Sequence, residues 1–256
     1  MLILRPEEVE GLLTMAEAVD AVEKAFSDWG KYPEINLTRR RLHFGNARFC
    51  SMPAALPSGE KTGLRIQSEI LAVSGGVQIY PSRSPLVDVL FDIHTALPVA
   101  MILSSTQRGM TKDGIPLRTS DLMTASISAV GTRWMSRPDS VKLALLGSGK
   151  QARNHLIAMN SIRSLSRVNV YSPTRERREQ FAGEMSALLN LEIVPIGSAQ
   201  EAQLPRSGEH GDNRRGNEET GGPQERPVAR REFLEGDRRG RERTLRTEGS
   251  LLARFD

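Results

Sequence analysis

Residues 141–152 read Val-Lys-Leu-Ala-Leu-Leu-Gly-Ser-Gly-Lys-Gln-Ala. An apolar run stops at Gly147-x-Gly149-x-x-Ala152. The run Val141–Leu146 predicts a strand buried on both faces, the habit of parallel sheets. The small residues after it predict a tight turn that opens a helix. Gly147 permits the turn, Gly149 lets the backbone approach a pyrophosphate, and Ala152 lets the helix lie close on the strand. Free N–H groups at the helix start would meet the phosphate charge. The stretch therefore predicts a dinucleotide site built from Gly147, Ser148, Gly149, Lys150, Gln151 and Ala152. A purely structural strand-turn-helix is the alternative reading.

Downstream the chain alternates. A helix is predicted from about Gln151 to Ile162, a strand at Val168–Tyr171, a helix at Glu176–Asn190 and a strand at Leu191–Ile196. Ser198 followed by Glu201 predicts a further helix start. Short strands separated by helices of this length imply a parallel β-α-β-α-β unit. An NAD site usually offers a carboxylate at the end of the second strand. Here that end reads Tyr171-Ser172-Pro173-Thr174-Arg175, with Arg177 and Arg178 beyond. The hydroxyls of Ser172 and Thr174 and the charge of Arg175 suit a 2′-phosphate, which favours NADP over NAD. The competing reading is that these arginines decorate a solvated helix start.

Upstream, Thr14-Met-Ala-Glu17 predicts a capping box. The helix after it would bury Met15, Ala18, Val19, Val22 and Phe26 and end at Gly30. Asn36–His43 is basic and extended. Short strands are predicted at Arg48–Met52, Gly63–Ile70, Gln78–Tyr80, Leu86–Phe91 and Val99–Leu103. Leu122–Met135 then reads as a helix, with Leu122, Ala125, Ile127, Ala129, Val130 and Trp134 as its apolar positions. The fold class expected is α/β: an α+β unit over residues 1–120, then a parallel-sheet nucleotide domain over 121–202.

Residues 203–256 break the pattern with Arg214-Arg215, Gly221-Gly222-Pro223, Arg230-Arg231 and Arg238-Arg239-Gly240-Arg241. This composition is too polar to fold around a core, so residues 203–256 are expected to form a disordered tail. The change falls inside an expected helix, after half of a doubly wound sheet. That position favours a frame change near residue 203. A natural tail that meets an anionic partner is the other reading.

The chain has 256 residues and a net charge of +4, to which arginines of the tail contribute heavily. No basic-aromatic interleaving accompanies the charge, so no nucleic-acid partner is expected. The start lacks a signal-peptide pattern, and no apolar run is long enough to span a bilayer. Cys50 is the single cysteine, which fits a reducing cytoplasm and excludes a disulfide framework. His43, His94, His155 and His210 show no metal-ligand spacing.

Several segments together resemble the ornithine cyclodeaminase and mu-crystallin family. They are Leu13–Phe26, Met52-Pro53-Ala54, Gly63–Ser68, Phe91–Ala100, Gly147–Ala152 and Val170–Thr174. The resemblance covers about residues 1–202. It implies an N-terminal domain that forms a homodimer and much of the substrate site, and a Rossmann domain that holds NADP or NAD. It implies chemistry at the Cα of a small amino acid or cyclic imine: cyclodeamination of ornithine to proline with loss of ammonia, or imine reduction or amino-acid oxidation. A binding role without turnover, or an inactive fragment, is the contrasting expectation. The family commonly carries a lysine where this chain has Arg65, which would clamp a substrate carboxylate but cannot shuttle a proton. An arginine usual in the family falls on Met123, with Arg118 nearby and out of register. Arg40 or Arg41 would supply a further carboxylate contact. The catalytic aspartate of ornithine cyclodeaminase belongs to a later half-domain with no counterpart in residues 1–202.

Overall fold

The computed structural model describes residues 1–104, 109–117 and 119–202 and the backbone of 252–255. Helix α2 (Met15–Lys31) starts as its sequence demands. Thr14 Oγ1 accepts from the Glu17 N–H at 3.1 Å, and Glu17 Oε2 accepts from the Thr14 N–H at 2.7 Å. The helix runs one residue past Gly30, because Gly30 stays helical and the Tyr32 N–H bonds the Asp28 carbonyl. Met15, Ala18 and Val19 are buried, but Phe26 is exposed and stacks on Trp29. A short α1 (Pro6–Val9) precedes it.

The N-terminal strands are β1 (Leu2–Leu4), β2 (Arg40–Phe44), β3 (Ala47–Leu56), β4 (Lys61–Ser74), β5 (Val77–Arg83), β6 (Leu86–Asp92) and β7 (Pro98–Ser104). They form one sheet in the order β1-β7-β6-β4-β3-β2, with β5 also on β4. The strands are longer than their sequence signals, since antiparallel pairing carries them into polar flanks such as Lys61–Thr62. Within this sheet, among the described residues, only β1 and β7 pair in parallel.

The register gives the sheet two unlike faces, because directly paired residues share a face. Arg41, Cys50 and Gln67 form one row, and Met52, Arg65 and Asp88 form another. Leu42, Phe49 and Ser68, then Ser51 and Ile66, fall on the opposite side. That second face is apolar and open: Phe44 is 85% exposed and Leu42 68%. A depression of about 370 Å³ lined by Leu37, Pro53, Ala55, Leu64 and Phe91 opens on it.

The second sheet holds β8 (Lys142–Leu146), β9 (Arg167–Tyr171) and β10 (Glu192–Pro195), all parallel. Helices α4 (Lys150–Ile162) and α5 (Arg175–Leu189) connect them. A short α6 (Ala199–Ala202) begins where Ser198 Oγ accepts from the Glu201 N–H at 3.1 Å. Beyond it residues 203–251 lie outside the described residues, and with them most of the segment read as out of frame. Residues 252–255 form β11, antiparallel to β8 with Leu252 opposite Leu146. The expectation of a disordered tail thus does not hold at 252–255, where backbone pairing forms a strand, and the far edge of β8 is paired rather than open.

Helix α3 (Thr119–Met135) joins the halves. Leu122, Ala125, Ala129 and Val130 are buried, whereas Ile127 and Trp134 are exposed. Small residues let α3 lie close to both α2 and α4. Met15 and Val19 of α2, Ala125 of α3, Leu143 of β8 and Leu156 of α4 belong to one continuous core. Arg133 of α3 reinforces it by pairing with Asp20 and Glu23 of α2.

Candidate functional site

The turn after β8 is built from its glycines. Gly147 has φ +122°, a conformation that L side chains rarely adopt, and its N–H bonds the Tyr171 carbonyl at 2.7 Å. Gly149 is the N-cap of α4 at an ordinary φ of −87°. A Cβ placed on it would meet nothing within 4 Å. The space in front of the first turn of α4 is thus open, and its N–H groups face it. Ala152 is buried against the sheet.

The turn is held by contacts that local sequence does not announce. Ser148 Oγ donates to Ser172 Oγ at 2.9 Å, joining the ends of β8 and β9. Lys150 Nζ pairs with Asp121 at 2.9 Å, and the Asp121 side chain is buried in the first turn of α3. The Gln151 carbonyl faces His155 Nδ1 at 2.7 Å, and Nε2 of the same ring lies 3.0 Å from Ser128 Oγ. His155 is therefore a satisfied core residue that ties α4 to α3. Among the described residues no group of three or more His, Cys, Asp or Glu could hold a metal ion.

At the end of β9 the polar groups divide. Ser172 is buried and turned inward to Ser148. Thr174 is the N-cap of α5, and its hydroxyl makes no capping bond. Arg175 reaches along its own helix to Glu179 at 2.7 Å, which raises its already high pKa through that hydrogen bond and charge. Arg178 is the arginine that returns to the strand end. It donates to the Ser172 carbonyl at 3.0 Å and lies over the Tyr171 ring at 5.9 Å.

The sheet face that carries Arg65 meets the start of α3. Arg65 Nε and Nη2 each donate to Asp88 at 2.7 Å, a bidentate pair, and Nη1 lies 3.3 Å from Met123 Sδ. Met123 and Asp121 are two residues apart. The first turns of α3 therefore touch both the Arg65 guanidinium and, through Lys150, the glycine turn. Arg41 shares the Arg65 face, whereas the register places Arg40 on the opposite, apolar face. Arg118 lies outside the described residues. Asp88 is the partner that residue-by-residue reading missed. Its signal was a lone carboxylate inside the apolar strand Leu86–Phe91.

A parallel β-α-β-α-β unit with an open, glycine-built helix N-terminus belongs to the dinucleotide-binding class of α/β proteins. Residues 1–204 match the ornithine cyclodeaminase/mu-crystallin family, and the chain belongs to it. It is 24% identical over 204 residues to a Delta(1)-pyrroline-2-carboxylate reductase of Bacillus cereus, covering 79% of this chain and 58% of that protein. Among solved structures it resembles the Thermococcus litoralis Delta(1)-pyrroline-2-carboxylate reductase in complex with NADH and L-proline. There the TM-score is 0.56 at 26% identity, covering 79% of this chain and 58% of that one. An archaeal alanine dehydrogenase dimer with bound NAD shares the fold, with TM-score 0.59, 23% identity and coverage of 79% and 57%. The chain thus spans somewhat over half the length of these relatives. Family and neighbours are NAD(P)-dependent enzymes of amino-acid and cyclic-imine chemistry.

Proposed function

We propose that this chain binds a nicotinamide dinucleotide at Gly147–Ala152 and a small amino acid or cyclic imine against the Arg65 face of the larger sheet. The observation that carries the reading is the open N-terminus of α4, where Gly149 leaves room for a pyrophosphate and Gly147 holds the turn. The bound cofactor would supply or accept a hydride at the substrate Cα. This chain's residues would position the two partners. The N–H groups of α4 neutralise the pyrophosphate, and Lys150, steadied by Asp121, adds charge beside it. Thr174 offers a hydroxyl at the adenosine end, and Arg178 lies near enough to favour a 2′-phosphate. NADP is accordingly preferred to NAD, and reduction of a cyclic imine to cyclodeamination of ornithine. The guanidinium of Arg65, already oriented by two bonds to Asp88, is suited to holding a carboxylate, the one charged group that a cyclic imino acid and ornithine share.

The same observation favours a second reading, ligand binding without turnover. The chain is further read as a homodimer formed through the apolar sheet face of Leu42, Phe44 and Phe49, a water-exposed surface of the kind that marks an interface. One titration tests the first two readings. NADPH and NADH fluorescence are followed as the full chain is added, then Delta(1)-pyrroline-2-carboxylate and an imino-dicarboxylate are supplied in turn. Binding with loss of reduced cofactor supports catalysis, and binding without it supports the second reading. Absence of binding to either nucleotide refutes both.

A further inference from the structure

The face that carries Arg65 is strongly cationic. Arg41, Arg48, Arg65 and Arg83 share it by register, and Arg39 joins them with its Nε 3.1 Å from Met52 Sδ. Against them stand Asp88, engaged by Arg65, Asp92, paired with Lys61 of the same face, and Glu69, which is buried and shared by Arg48 and Arg83. Two guanidinium charges on one carboxylate leave that cluster at +1. Arg39 and Arg41 make no ion pair with a described carboxylate, so the face keeps a surplus of positive charge. Part of that charge is also held in place. The guanidinium carbons of Arg83 and Arg48 lie 3.8 Å and 5.1 Å from the centroid of the Tyr80 ring. Arg83 remains 45% exposed, with donors left over after its bond to Glu69.

We propose that this face selects substrates with a second acidic group, amino- or imino-dicarboxylates, and rejects those with a second amine. The inference rests on the reading above, in which the Arg65 face is the substrate side. The row of Arg41 and the row of Arg48 are one strand repeat apart, about 7 Å. The carboxylates of a short dicarboxylic acid lie closer together than this, a gap that long arginine side chains leaning in from the two rows can close. A carboxylate at the Arg48 row would use donors already fixed by Tyr80 and Glu69, which limits the ordering cost at that end, while Arg41 would be ordered on binding. A diamine such as ornithine would place its distal ammonium among guanidinium groups, where Asp88, Asp92 and Glu69, the carboxylates of this face among the described residues, are already paired.

The test is calorimetric titration of the full chain with L-aspartate, succinate, L-alanine and L-ornithine at physiological salt, with and without saturating NADH. Aspartate and succinate are expected to bind at least tenfold more tightly than ornithine, with alanine between. Arg41→Gln and Arg83→Gln should each reduce that ratio severalfold, while Lys142→Gln, on the second sheet, leaves it unchanged. Arg83→Gln takes a partner from buried Glu69, so Arg41→Gln, which strands no buried charge, decides the matter if the other variant unfolds. Equal or tighter binding of ornithine, or an unchanged ratio in Arg41→Gln, overturns the inference. NADH binding without a charge preference overturns this inference alone. A charge preference without NADH binding overturns the nucleotide reading and leaves the anion site standing.

Discussion

Gly147 and Gly149 sit two residues apart and make different demands on the chain. Gly147 needs a positive φ, so its replacement is a backbone problem. Gly147→Ala should destabilise the fold by roughly 1–3 kcal/mol, the usual cost of such strain, and should weaken nucleotide binding as a consequence. Gly149 has ordinary backbone geometry and open space where a Cβ would go. Gly149→Ala should leave stability within about 1 kcal/mol of the parent yet weaken NADH binding ~10-fold or more, because the methyl occupies the pyrophosphate's approach. Thermal melts and NADH titrations on the two variants separate these demands. If both lose stability equally, Gly149 is structural and the loop is not a phosphate cradle. Asp92 makes a third residue-scale case. Its carboxylate accepts the N–H groups of Thr95 and His94 at 3.0 Å, which lower its pKa to about 2. A carboxyl with a depressed folded pKa stabilises above its unfolded pKa and loses that contribution as pH falls through the folded value. The melting temperature should therefore drop between about pH 4 and pH 2, and Asp92→Asn should flatten that part of the profile.

Elements show which information is local. The α2 capping box was legible because Thr14 and Glu17 are three residues apart and bond each other. Thr14→Ala should cost ~1 kcal/mol, measured as a lower urea midpoint at unchanged slope. The strand-turn-helix at 142–152 was legible for the same reason, since its apolar run and its glycines are neighbours in sequence. What lay beyond reach was pairing set by tertiary structure. Arg65 could be singled out, but its partner Asp88 depends on β4 lying beside β6, with no local turn to fix the register. Lys150 could be placed at the turn, but Asp121 reaches it only because α3 packs on α4. The exposure of Phe26, Ile127 and Trp134 has the same origin. A helical period marks a stripe of apolar residues, and only the neighbouring elements decide how much of that stripe is covered. Arg40 and Arg41 were equal candidates in sequence, and a strand separates them because its side chains alternate.

At the scale of the whole molecule, the uncovered sheet face and the edge strand are the features with consequences. If a second copy covers the apolar face, Phe44→Asp should yield monomers by light scattering and leave the melt of each protomer nearly unchanged, as Phe44 is 85% exposed within one chain. An unchanged mass would place the dimer contact elsewhere or rule it out. Loss of residues 251–256 should bare the backbone edge of β8 and quicken amide exchange at Leu143–Leu146, since β11 covers that edge. The continuous core bears on how the chain comes into being. Met15 and Val19 are made well before the side chains that cover them, such as Leu122, Ala125 and Leu156. As the chain leaves the ribosome, α2 has its cap but not its neighbours. Its apolar stripe stays wet, or in the keeping of a chaperone, until α3 and α4 have been synthesised. Helix α2 is thus synthesised ahead of its neighbours and joins the fold only with them.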